Sequence, residues 1–285
     1  MKKLSIAPLS ERVKQTAYMP KNSFIRALMC MTPEFVYYYL NQTVTFGAAY
    51  LIGTGQYGTS VSKTFSMHSM FFASFIRVLA LIVAVLPLLY SFKKEYPVIL
   101  PKKENLKRNI CFVLILALGL SLLLNVAAIL SGFTSVSSGF AKTSSAQFSL
   151  PIWLGVPIYG IITPVTEEIV HRGIIYNRLR RFFDLPIALI AGALLFGISH
   201  GNLIQFVYAF LMGIMIGFIY ERYGSFLYPV IFHCMANTAV YITMSVPLLR
   251  RAAFSYAGMA LEVFLTALSI YMLFSAEIID TKKRQ

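Results

Sequence analysis

Apolar and polar positions in this chain alternate in long blocks rather than at the period of a helix face or a strand. Apolar runs of about twenty residues occupy 69–92, 109–132, 203–220, 226–248 and 253–278, separated by short polar or basic stretches. A helix needs about 20 apolar residues to cross a hydrocarbon core about 30 Å thick, so these blocks predict membrane spans. Three less regular blocks complete the pattern. Residues 33–52 are apolar and aromatic but carry Glu34, Asn41 and Gln42, which points to a span lying partly at the interface. Residues 151–178 pass through Pro157 and Pro164, and 185–200 end on a histidine. The expected fold class is all-α, a polytopic membrane helical bundle of about eight transmembrane helices.

The polar stretches divide and orient the chain. Residues 1–28, with Lys2, Lys3, Arg12, Lys14, Lys21 and Arg26, read as a basic cytoplasmic segment; no uninterrupted apolar stretch with a small-residue cleavage site marks it as a signal peptide. Residues 29–148 hold the N-terminal transmembrane helices and 149–250 a chemically distinct transmembrane core. Residues 251–285 hold the last helix and a basic tail with Lys282, Lys283 and Arg284. The basic loop 93–108 and the cluster Arg178, Arg180 and Arg181 belong inside by the positive-inside rule. The Ser/Gly/Thr-rich loop 131–149, with only Lys142, belongs outside. Both termini are then cytoplasmic, in a multi-pass protein of the cell membrane.

Composition agrees with the blocks. Hydrophobic residues make up 58% of the 285 and charged residues 13%, against about 25% charged in an average soluble domain, which excludes a soluble fold. The net charge of +14 sits in short runs between apolar spans, so it orients the protein and does not make a nucleic-acid surface. Cys30, Cys111 and Cys234 are isolated in apolar segments, with neither disulfide nor thiolate-metal spacing.

Ionisable groups inside a bilayer cost at least about 2.5 kcal/mol each, so their clustering marks a functional site. Here they cluster in three places: Glu167-Glu168-Ile-Val-His171-Arg172, Phe196-Gly-Ile-Ser-His200, and His233-Cys-Met-Ala-Asn237. Glu168 and Arg172 are spaced i,i+4 with the acid first, the favourable order for an ion pair. His233 and Asn237 share a helix face, as do Glu167 and His171. Glu167 and His200 are nearly equidistant from a turn near Phe183 and Asp184, and His233 follows Arg222 by eleven residues, about 16 Å of helix. The three places are therefore expected at similar depth. A buried carboxylate and an imidazole can activate a water, and a second imidazole with a carboxamide can donate to an oxyanion. Ser199 and Cys234 fall on other faces and make unconvincing nucleophiles.

These three motifs, in this order, resemble the signature of the CAAX-processing and bacteriocin-processing intramembrane endopeptidases, which include the type II CAAX prenyl proteases. The resemblance covers about 149–248 and implies that Glu167 and His200 activate water while His233 and Asn237 stabilise the oxyanion, with Glu168 and Arg172 in support. It further implies a peptide or membrane-protein substrate, prenylated in part of the family. His171 departs from the pattern, which has an aromatic residue there. No cofactor is expected. The alternative is zinc held by Glu167, His171, His200 and His233, against which stand the absence of an HExxH motif and the positive Arg172 beside His171.

Other polar residues receive plainer readings. A buried structural ion pair accounts for Glu168 and Arg172 as well as direct chemistry does. His68 lies near a loop, Glu262 is an isolated interfacial or bundle-facing acid, and Gly213 with Gly217 marks a close helix contact inside the bundle. Two other functions fit the same spans: a catalytically idle membrane regulator or immunity protein of this fold, and a transporter whose midplane acids and histidines carry ions.

Overall fold

The structure is a computed structural model that describes residues 22–53, 69–95 and 105–282. The basic residues from Lys2 to Lys21, the loop after Gly53, His68, most of the 93–108 loop, and Lys283 and Arg284 lie outside the described residues. Among the described residues every regular element is helical.

Helix α1, Ser23–Gly53, starts at Asn22, whose Oδ1 accepts from the Phe24 N–H at 2.8 Å. The expected span 69–92 is broken into α2, Ser69–Val85, and α3, Leu88–Glu95, bent by 49° at Pro87, which has no N–H to continue the ladder. Helix α4 is Leu106–Leu130. The stretch expected as a loop, 131–149, holds helix α5, Ser138–Phe148, whose start Ser137 caps by accepting from the Phe140 N–H at 3.2 Å. The chain then bends by 104° into α6, Ile152–Phe182. Helices α7, Leu185–Ile198, α8, Leu203–Tyr223, and α9, Leu227–Ser245, follow, then a short α10, Pro247–Ala253, and α11, Tyr256–Lys282.

The helical bundle expected from the block pattern is present, with four to six of the described helices or helix pairs meeting the length and apolarity of a span. Among the described residues four helices, α4, α8, α9 and α11, are long and apolar enough to cross a membrane, or six if the bent pairs α2–α3 and α5–α6 each count as one span. Helix α1 is long enough but, with Asn41, Gln42 and its tyrosines, not apolar enough. Helix α7 has 14 residues, about 21 Å of rise, short of the core thickness.

The distribution of polarity is that of a protein dissolved in lipid. On α11 the apolar Leu261, Val263, Phe264 and Tyr271 are 52–69% exposed, while Glu262, Thr266 and Ser269 are 0–8% exposed. Such an inside-out helix is unstable in water and natural in a bilayer, where polar groups must be turned inward. The protein is therefore a multi-pass helical membrane protein.

Two compact units divide the described residues. One comprises 105–164 and 193–282 and has a continuous core in which Val113, Leu116 and Ala117 of α4 join Phe196 of α7, Ile216 and Ile219 of α8, Phe232 and Ala236 of α9, and Leu273 of α11. Close approaches inside it fall at glycines. A Cβ on Gly119 would lie 2.9 Å from Thr266 of α11, and one on Gly213 would lie 3.1 Å from the Ala193 backbone, so Gly213 marks the internal helix contact expected of its GxxxG pattern. The other unit comprises 22–53, 69–95 and 165–192. Its core holds Leu81 and Ala84 of α2 and Val170, Ile174, Ile175 and Tyr176 of α6. The boundary passes through α6 after Pro164 and through α7 after Gly192.

Candidate active site

Helix α6 carries the first motif and is not a uniform α-helix. It widens to i→i+5 bonding over Val156–Ile162 and again over His171–Tyr176, leaving the α-helical turn Thr163–Val170 between. Such π segments recur at functional sites and cost backbone hydrogen-bond regularity. The first has an identifiable cause. Thr163 N–H bonds to the Ile158 carbonyl, five residues back, and Pro164, lacking an N–H, donates to neither Tyr159 nor Gly160. Helix α9 supplies side-chain donors instead: Asn237 Nδ2 to the Tyr159 carbonyl at 3.2 Å, and Thr238 Oγ1 to the Gly160 carbonyl at 3.4 Å. Gly160 permits this approach, since a Cβ there would fall 2.4 Å from Thr238 Oγ1.

Around the first motif, Glu168 and Arg172 form the ion pair their spacing predicts, Oε1 to Nη1 at 2.9 Å, with side chains 0% and 3% exposed. Glu167, one position earlier, is only partly buried and so has access that Glu168 lacks. His171 is buried with its Nε2 3.2 Å from Glu34 Oε2 of α1. The Tyr37 hydroxyl of α1 hydrogen-bonds the Thr166 hydroxyl at 3.2 Å, and both Glu34 and Tyr37 lie within electrostatic reach of Glu167. Gly173 lets Phe92 of α3 close over this turn, where a Cβ would lie 2.4 Å from the ring.

The second and third motifs meet in the other unit. His200 lies just past the end of α7, in a turn closed by Gly201 at φ 72°, a left-handed position that suits glycine. Its Nδ1 is 2.8 Å from the Phe196 carbonyl. A carbonyl only accepts, so Nδ1 carries the hydrogen and Nε2 is the nitrogen left with a lone pair. The Ser199 hydroxyl donates to the same carbonyl at 2.8 Å. The Phe196 ring stands edge-on to both imidazoles, 5.0 Å from His200 and 5.5 Å from His233 between centroids, so the aromatic position of the second motif spaces the two histidines. His233 is 5% exposed and Asn237 partly buried. One amide hydrogen of Asn237 is engaged with Tyr159 and the carboxamide has a second to offer.

The six motif residues thus fall into two groups: Glu167, Glu168 and Arg172 with Glu34, Tyr37 and His171, and His200 and His233 around Phe196 with Asn237 bonded to Tyr159. Among the described residues no three of histidine, cysteine, aspartate and glutamate gather into a set able to hold a metal ion, and His171, one of the four ligands of the zinc alternative, is engaged with Glu34. Glu34, Tyr37 and Thr238 had no motif to announce them. The sequence signal for Glu34 was its presence as an acid in an apolar block, which reads equally well as an interfacial residue.

The model of the type II CAAX prenyl endopeptidase Rce1-like family matches residues 149–239. A curated protein of Bacillus subtilis (strain 168), named "Putative membrane peptidase YdiL", is 29% identical over 110 residues, 37% of this chain. The chain spans 45% of that relative's length. No solved structure matches. All three motifs lie intact and in order within the matched residues, on α6, at the end of α7 and on α9, and over this segment the chain is similar to the type II CAAX prenyl endopeptidases and to the Bacillus subtilis relative.

Proposed function

We propose that the chain is an intramembrane endopeptidase that hydrolyses a peptide bond in a membrane-associated protein or peptide precursor. Glu167 and His200 activate the attacking water, and His233 and Asn237 donate to the oxyanion. The observation that carries this reading is the intact set of three motifs inside the matched segment. Supporting it, Glu168 is consumed by Arg172, which leaves Glu167 as the accessible carboxylate of the pair, and His200 Nε2 has a lone pair to take up a proton. Removal of a proton from water by the carboxylate, attack on the carbonyl, and return of the proton to the leaving amine complete the hydrolysis, with no covalent enzyme intermediate. The reaction takes place in the cell membrane with both termini cytoplasmic, and needs no metal.

The test compares peptides from membranes and medium of cells expressing either the native chain or Glu167→Ala at equal level, with and without a zinc chelator. New peptide termini that vanish in the variant and persist under chelation are expected, and they name the substrate. Termini lost under chelation and restored by zinc would replace the glutamate mechanism with a metal one. Identical peptide pools would overturn the endopeptidase reading in favour of an idle regulator of this fold.

A further inference from the structure

Helix α1 lies outside the matched segment and carries none of the three motifs, yet it is fastened along the motif-bearing half of α6. Four contacts run down the pair. The Arg26 guanidinium stands 5.5 Å over the Phe182 ring, the Met29 carbonyl accepts from Arg178 Nη1, Glu34 meets His171, and Tyr37 meets Thr166. Positions ascend on α1 as they descend on α6, so the two helices are antiparallel. The last two contacts bracket Glu167 along α6: Thr166 immediately before it and His171 one turn after.

We infer that Glu34 is a positioning residue for the proposed hydrolysis, holding the His171 imidazole beside Glu167 and relying on that imidazole to shield its own charge from Glu167. This rests on the endopeptidase reading given above. The geometry supplies both halves of the role. His171 is 3% exposed in the widened turn, and Glu34 of α1 reaches its Nε2 across the helix interface at 3.2 Å. Two carboxylates, Glu34 and Glu167, are within electrostatic reach of each other in a partly buried patch. Of the positive groups near them, Arg172 pairs with Glu168 and is within electrostatic reach of Glu167, and Arg77 of α2 is within electrostatic reach of Tyr37. The His171 imidazole, a cation only when protonated, approaches Glu34 Oε2 to 3.2 Å.

Because Glu34 both orients His171 and burdens Glu167, the two substitutions should not act independently. Glu34→Gln removes the orientation and the charge together. His171→Phe removes the shield and leaves the Glu34 carboxylate bare beside Glu167, so it is the more damaging single change. Removing both returns the site to the state of Glu34→Gln alone.

The experiment measures, in cells expressing the full chain, the initial rate at which Glu167-dependent peptide termini appear, together with the melting temperature of each purified variant. Should the native chain and Glu167→Ala give the same termini, the endopeptidase reading fails, and this role with it, before any Glu34 variant is made. Given such termini, we expect losses of roughly tenfold for Glu34→Gln, roughly a hundredfold for His171→Phe, and roughly tenfold for the double variant, so that the second change rescues the first. With the precursor so identified and the chain reconstituted, the Glu34→Gln loss should fall on kcat with KM little changed. Losses that multiply in the double variant, or a Glu34→Gln rate equal to native, would overturn the proposal. If His171→Phe does not fold, the conservative pair decides: Glu34→Asp should retain most of the rate that Glu34→Gln loses at equal melting temperature, and equal rates for the two would also overturn it.

Discussion

The side-chain amide of Asn237 donates to the main-chain carbonyl of Tyr159, one of the two carbonyls that Pro164 deprives of a backbone donor. A residue assigned to catalysis by its motif thus also holds α6 in its widened form, and a loss of activity on substitution has two sources. Thr238, which serves Gly160 in the same way but belongs to no motif, separates them. Asn237→Ala and Thr238→Val should each cost about 1 kcal/mol of stability, the net worth of one hydrogen bond, read as a lowered melting temperature. Only Asn237→Ala should reduce proteolysis by a hundredfold or so, the scale of one lost oxyanion donor.

The buried pair of Glu168 and Arg172 makes a prediction about charge balance. Arg172→Met leaves Glu168 uncompensated at 0% exposure and should destabilise by about 3–5 kcal/mol, whereas Glu168→Leu with Arg172→Met should recover much of that loss. Thermal unfolding of the three proteins in one detergent checks the order. A double variant less stable than Arg172→Met would show that the pair does more than neutralise itself.

A steric prediction concerns the bend before α6. The Tyr241 hydroxyl donates to the Leu150 carbonyl at 2.7 Å, and a Cβ on Gly155 would lie 1.9 Å from that hydroxyl and 2.0 Å from the ring. The obstacle is a packed ring in the bundle, so Gly155→Ala should cost about 1–3 kcal/mol, the range for overpacking a filled core. Gly47, which has nothing within 4 Å of its Cβ position, is the control: Gly47→Ala should be neutral or slightly stabilising in the helix interior, by melting temperature.

Glu262 is 4% exposed on α11, and neither carboxyl oxygen has a hydrogen-bond partner among the described residues. A buried polar group without a partner costs stability. Glu262→Leu should therefore raise the melting temperature and leave proteolysis unchanged, since no part of the proposed chemistry uses this residue. A lower melting temperature would mean that the carboxyl meets a group the described residues do not include.

Much of this was legible in the sequence, and the rest was hidden for physical reasons. Block hydrophobicity identifies α4, α8, α9 and α11 because a span long enough to cross lipid leaves an unmistakable run. Among the described residues α1 and α7 fall short of a span by polarity and by length respectively, and the break at Pro87 is lost because composition averages it away. The i,i+4 spacing of Glu168 and Arg172 translates directly into an ion pair, because it needs only local helix geometry. Glu34 with His171, and Asn237 with Tyr159, could not be read that way. Each joins residues far apart in the chain through the packing of two helices, and the polar partner of Asn237 is a main-chain carbonyl, which every residue has. The Ser/Gly/Thr composition of 131–149 argues for a loop, yet Ser138–Phe148 is helical, with Ser137 capping its start.

The central claim is that Glu167 activates water rather than merely supporting the helix it stands on. The most direct measurement uses the purified chain reconstituted in lipid vesicles and the precursor peptide recovered from the cellular comparison, with hydrolysis rate and melting temperature recorded for the native chain and Glu167→Gln. The account predicts a rate reduced by a factor of at least about 10², the usual worth of a positioned general base, at a melting temperature within a few degrees of native. A rate within tenfold of native, or a loss of rate matched by a loss of fold, would contradict it.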